Sequence, residues 1–128
     1  MTYVGSVQRD LYERAGFTIL KDDVIITDER VVHVELRHPG VWEPYRGYLR
    51  EVVDHPDRIF ADDDSANTAI LVKAFVINGK TVRLRATLRF YAASDPDDYV
   101  NSILSYQTLG DKRYRRMRNN HRTLYNGE

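Results

Sequence analysis

The segment Val32-His33-Val34-Glu35-Leu36-Arg37-His38-Pro39 gathers two of the chain's four histidines and one arginine into a few residues. An imidazole titrates near pH ~6.5 and so takes or gives a proton near neutrality. A guanidinium is a permanent cation with a planar fork of donors. His33 and Arg37 stand four apart and share a face if the segment is helical. Pro39 disfavours helical geometry at His38, which puts that histidine at the helix end. The two histidines read as a general acid/base pair, as one base plus a substrate ligand, or as a helix cap and a satisfied surface histidine. Zinc is disfavoured. The spacing is H-x4-H rather than H-E-x-x-H, cysteine is absent, and His55 and His121 have no ligand-like spacing to the pair. No metal and no cofactor is expected.

Cations recur downstream. Arg83, Arg85 and Arg89 fall on one face of an alternating run. Three cations on one strand face repel unless something anionic lies over them. A phosphate backbone, an acidic partner protein or neighbours such as Asp62 to Asp64 would serve. Asn101, Ser102, Ser105 and Tyr106 bring small polar groups and an aromatic ring into a later strand, where buried polar groups must find partners. Lys112, Arg113, Arg115, Arg116 and Arg118, with Tyr114 among them, resemble a stretch that binds nucleic acid through phosphate contacts and base stacking. Solvated surface cations would look the same.

The elements that must position these groups can be read from pattern. Ser6 caps a short helix with Val7, Leu11 and Ala15 on one side and Gly16 at its stop. Phe17–Leu20 and Val24–Ile26 read as short extended runs. Thr27 or Asp28 caps a helix over about 29–37. Pro44 opens another, with Tyr45, Tyr48, Leu49, Val52 and Val53 as its core stripe. Arg58–Ala61 is a short strand. Thr68–Ile77 and Lys80–Tyr91 form a hairpin about Asn78-Gly79. Tyr99–Leu109 is a further strand, expected to place Ser102, Leu104 and Tyr106 on one face and Asn101, Ile103 and Ser105 on the other. Asp111 caps a basic helix, and residues 121–128 form a tail. Helices first and then an antiparallel sheet make an α+β fold.

Length and composition bound the rest. The 128 residues suit one domain, 1–128, with no repeat, linker or low-complexity segment. No run approaches the ~18 apolar residues of a membrane span, and no secretion signal is visible, so a cytoplasmic site of action and no membrane partner are expected. The net charge of zero hides an asymmetry: residues 1–69 hold 8 Lys/Arg against 14 Asp/Glu, and residues 70–128 hold 11 against 5. A basic face in the second half could meet a polyanion.

Taken in order, Val24-Ile25-Ile26-Thr27, His33-Val34 with Arg37-His38, His55-Pro56-Asp57-Arg58-Ile59, Asn67-Thr68, Asn101-Ser102-Ile103-Leu104-Ser105 and Leu124-Tyr125 resemble the phage and prophage branch of the barnase–EndoU–colicin–RelE (BECR) nuclease superfamily. The resemblance spans about residues 4–128. It implies N-terminal helices packed on a four-stranded antiparallel sheet, and metal-independent RNA cleavage in a toxin or phage setting. The resemblance carries the histidine role onto His33 and His38 and polar sheet roles onto Asn101, Ser102 and Ser105, the last standing where the family more often has threonine; Arg37 joins the catalytic set as a cation that stabilises charge on the phosphoryl oxygens. Substrate contacts would come from Thr68, Arg83, Arg85, Arg89, Asn101, Tyr106, Arg113 and Tyr125. One imidazole, His33 first, would take the proton of a ribose 2′-OH, and His38 or a strand hydroxyl would assist the leaving 5′-oxygen. RNA is the expected partner, with an inhibitory immunity or antitoxin protein as a further one. The rival reading is a non-catalytic module that binds RNA or protein on the same sheet.

Overall fold

The structure is a computed structural model that describes residues 1–128. The chain folds as α+β, and its sheet is larger than expected. Seven strands, β1 (Thr2–Ser6), β2 (Asp23–Ile26), β3 (Arg58–Ala61), β4 (Thr68–Ile77), β5 (Lys80–Arg89), β6 (Asn101–Thr108) and β7 (Thr123–Asn126), form one mixed sheet in the order β1-β2-β6-β5-β4-β3-β7. β2 joins β6 in parallel, through Val24 and Ile25 against Asn101 and Ser102, and every other pairing is antiparallel. The expected four-stranded antiparallel sheet is therefore corrected to a seven-stranded mixed one. Ser6 lies in β1 rather than capping a helix, residues 123–126 form β7 rather than a tail, and Phe17–Leu20 is irregular.

Five helices accompany the sheet: α1 (Arg9–Arg14), α2 (Asp28–Arg37), α3 (Trp42–Tyr45), α4 (Leu49–Asp54) and α5 (Asp111–Asn120). Thr27 caps α2 by accepting from the Arg30 amide at 3.2 Å, and Asp28 and Glu29 sit at its positive end. The expected helix over 44–54 is broken into α3, a single 3₁₀ turn at Arg46–Tyr48, and α4. Gly47 in that turn has the weakest helix propensity of the segment after Pro44. Asn78 (φ 52°) and Gly79 (φ 77°) both take the left-handed backbone that a two-residue hairpin turn requires.

Each face of the sheet has a core. The main one joins Leu84, Ala86, Leu88, Ile103, Tyr106 and Ile59 of the sheet to Tyr12, Val34, Trp42, Leu49, Val52 and Val53 of the first four helices. The smaller one, on the opposite face, sets Tyr114 and Met117 of α5 against Phe60, Ile70, Val72 and Leu109. Burying each large apolar side chain is worth roughly 1.5–3 kcal/mol, so this second core suffices to hold α5 on the sheet. It covers β3 and β4 and leaves part of β5 and β6 open.

Two details set the geometry of that open part. Asn101 is fully buried and uses its whole amide: Oδ1 accepts from the Tyr91 amide at 2.8 Å, and Nδ2 donates to the carbonyls of Lys21 at 2.7 Å and Asp23 at 3.0 Å. It thereby rivets β2 to β6. Farther along, β6 bulges: Thr87 faces Ser105 while Leu88 faces Ile103, so Leu104 is an extra residue.

Candidate active site

β5 and β6 make the floor of an open site. Arg83, Arg85, Thr87 and Arg89 share one face of β5, and the last three pair with Gln107, Ser105 and Ser102 of β6. The bulge puts Ser102 and Ser105 on this same face and turns Tyr106 to the other, which corrects the simple alternation expected for this strand. Ser105 Oγ donates to Thr87 Oγ1 at 2.9 Å.

Among the three strand arginines, only Arg85 lacks an acid. Arg83 pairs with Asp111 at 2.8 Å and lies 4.2 Å from the centre of the Tyr114 ring. Asp111 is thus an ion-pair partner rather than the cap of α5. Arg89 holds both oxygens of Asp95 at 2.9 Å, and this pairing draws the Asp95 carboxyl below its ordinary range. The Nε of Arg85 is buried without a hydrogen-bond partner, and so is Oε1 of Gln107, its cross-strand neighbour. An unsatisfied buried polar group costs about 1–3 kcal/mol, and more when charged. Burial, and then Arg113, lower the affinity of Arg85 for its proton, with Asp62 acting the other way. A donor and an acceptor left open side by side are what a bound ligand would satisfy.

One wall is α5. Its residues Tyr114 and Met117 face the sheet, while Arg113, Arg116 and Asn120, at i, i+3 and i+7, line a cleft of about 210 Å³ together with Arg85, Leu109, Met117 and His121. His121 Nδ1 lies 3.2 Å from the carbonyl of Ala61. If that nitrogen carries the proton, it donates there and Nε2 is left without a partner.

The other wall is α2, which packs beside β6 past the short β2–β6 pairing. Arg30, His33 and Arg37 form a stripe at i, i+3 and i+7, and the Arg30 guanidinium reaches the carbonyl of Leu104 in the bulge at 3.5 Å. His38 is the C-cap and is half-buried. Its imidazole is held below the ordinary histidine range, by burial first and then by Arg113, His33, Arg37 and Arg85. Those groups belong to both walls and the floor, so His38 lies within electrostatic reach of all three.

No family model, curated protein or solved structure matches the chain.

The structure thus brings together His33, Arg37, His38, Arg85, Ser105 and Arg113 among the expected site residues. It separates others from them. Asn101 is a buried rivet with no free polar atom to offer. Tyr106 lies in the main core, its hydroxyl donating to the carbonyl of Tyr45 at 2.7 Å. Thr68 is buried and donates to the carbonyl of Ala66 at 2.9 Å. Tyr125 packs against the main core from β7, on the far side of the sheet. Arg83 and Arg89 are engaged by Asp111 and Asp95, and Ser102 sits beside the Arg89 pair at the β2 end of its strand.

Sequence reasoning missed Gln107, Thr87, Arg30 and His121. Gln107 follows Ser105 by two residues and is found once the bulge fixes which face Ser105 occupies. Arg30 stands three before His33, a helical spacing open to inspection. His121 fell in an expected tail, and only the fold carries it back to Arg85. No group of three or more His, Asp or Glu side chains is placed to hold a metal ion. No helix is long and apolar enough to cross a membrane.

Proposed function

We propose that the protein is a metal-independent RNA endonuclease. The observation that carries this reading is Arg85: a half-buried guanidinium with an orphan Nε, beside histidines and further cations, with no carboxylate bound to it. A phosphodiester laid along the floor supplies the missing acceptor. Arg85, Arg113 and Arg37 then face the phosphoryl oxygens, where charge builds up in the transition state, and preorganised cations of this kind supply a large part of the rate in such sites.

In this reading the histidine roles are exchanged relative to the expectation, with His38 as the base. Burial first, and then the cations around it, favour the neutral form of its imidazole, which suits a base. His38 takes the proton of the ribose 2′-OH, the 2′-oxygen attacks phosphorus, the bond to the 5′-oxygen breaks, and His33 returns a proton to that oxygen. The Ser105–Thr87 hydroxyl pair lies on the same floor, placed to bond a phosphoryl oxygen. The products are a 2′,3′-cyclic phosphate and a 5′-hydroxyl end. The nucleophile belongs to the substrate, so no metal is called for. A BECR-type relationship, with a toxin or phage setting and action in the cytoplasm, is carried into this reading by the sequence resemblance alone; the seven-stranded mixed sheet lends it no support. An immunity-type inhibitor would cover the same cleft with carboxylates.

The test is a digest of total RNA by purified protein in EDTA, with analysis of the new ends. Cleavage leaving cyclic phosphates is expected. Intact RNA, or cutting only after divalent metal is added, would overturn the reading; tight binding of uncut RNA would turn the site into a binding module.

A further inference from the structure

The cleft does not stop at Arg85. It continues along α5 to Arg116, Asn120 and His121, a set of groups for which the cleavage chemistry above has no use. Arg113 to Asn120 is seven residues of helix, an axial run of about 10 Å. That is longer than a single phosphate group. The far end is also cationic and poor in acids: Arg116 has no ion-pair partner, and no Asp or Glu lines the cleft. His121 is anchored rather than loose, because its Nδ1 is engaged with the carbonyl of Ala61, an oxygen of β3. Asn120 adds an amide that can both donate and accept.

We propose that Arg116, Asn120 and His121 form a second phosphate position, one step along the strand from the phosphate held at Arg85 and Arg113. The inference rests on the nucleic-acid reading of the site and sharpens it: the ligand is a single strand carrying at least two consecutive phosphates, threaded between α5 and the sheet. Arg116 takes the second phosphate as a charge-assisted donor, and His121 Nε2 faces the same group.

The experiment uses DNA oligonucleotides, which lack the 2′-OH and cannot be cut by the proposed route. Equilibrium binding is measured for a dinucleotide with one phosphate and for a trinucleotide with two, against the full chain and its Arg116→Ala and His121→Asn variants. Arg116 is exposed, so its removal leaves the fold intact, and the asparagine amide can still reach the Ala61 carbonyl while lacking Nε2. The second phosphate is expected to tighten binding to the unaltered chain about tenfold or more, and Arg116→Ala is expected to abolish that gain while leaving the dinucleotide affinity unchanged. The slope of log Kd against log salt for the trinucleotide should fall by roughly 0.7 in the same variant, the share of one neutralised phosphate on a single strand. Equal binding of the two ligands, or a gain that survives in both variants, overturns the second position and leaves the functional reading standing. Failure of the unaltered chain to bind either ligand overturns both.

Discussion

Arg85 sets two properties against each other. Its charge is desolvated and unpaired in the free protein, which costs stability, and the same exposure to a ligand makes it useful. Arg85→Met should therefore cut the cleavage rate by about 10²–10³-fold, on the scale of losing one preorganised donor, while the melting temperature stays level or rises. A parallel fall in melting temperature would show that Arg85 holds the sheet together instead. His38 gives a second prediction. With its imidazole held low by burial and then by Arg113, the acid limb of kcat/KM should lie below the ordinary histidine value of ~6.5. Arg113→Ala should move that limb upward. A limb that stays put in this variant would remove His38 from the role of base. The residue types themselves were legible from spacing alone: the His33–Arg37–His38 group and Arg113 are where the sequence put them. What spacing cannot give is which of three like arginines is left unpaired. That depends on Asp95 and Asp111, each brought in by a turn or a helix start.

At the scale of elements, α2, β6 and α5 carry the site, and Asn101 is the joint on which one of them depends. Its amide closes three hydrogen bonds to Tyr91, Lys21 and Asp23. Asn101→Ala leaves those buried backbone groups open, at a cost on the order of 2–4 kcal/mol. A lowered melting temperature is expected, with amide exchange accelerating first in β1 and β2. Unchanged exchange there would show that the parallel pairing does not need the side chain. The hairpin of β4 and β5 was readable because Asn78-Gly79 and strict alternation are local signals. β1, β7 and the bulge were not, because each is fixed by a partner remote in sequence: β1 by β2, β7 by β3, and Leu104 by the register of β5. The four residues Phe17–Leu20 misled for the matching reason. They are apolar and β-branched enough for a strand, but Phe17 spends its side chain against Phe90, and Ile19 is buried in the main core, away from any ladder.

For the whole molecule, the burial of His38 and the cations around it couple acidity to stability. Unfolded, His38 would protonate at its ordinary value; folded, it resists until a lower pH. Between those two values the unfolded chain binds the extra proton, so stability falls as pH drops through that window and levels off below it. His38→Gln should lessen the drop in melting temperature between pH ~7 and ~5, and inorganic phosphate should offset it by binding only the folded cleft. A slope that neither change alters would place the titrating group elsewhere. Finally, the parallel pairing of β2 with β6 orders events in time. Val24 and Ile25 are made early, but their partners Asn101 and Ser102, and after them α5 and His121, are made late. At a synthesis rate of 5–20 residues per second, about 4–17 s separate the appearance of His38 from that of His121. During that interval His33 and His38 exist without the arginines of α5 beside them.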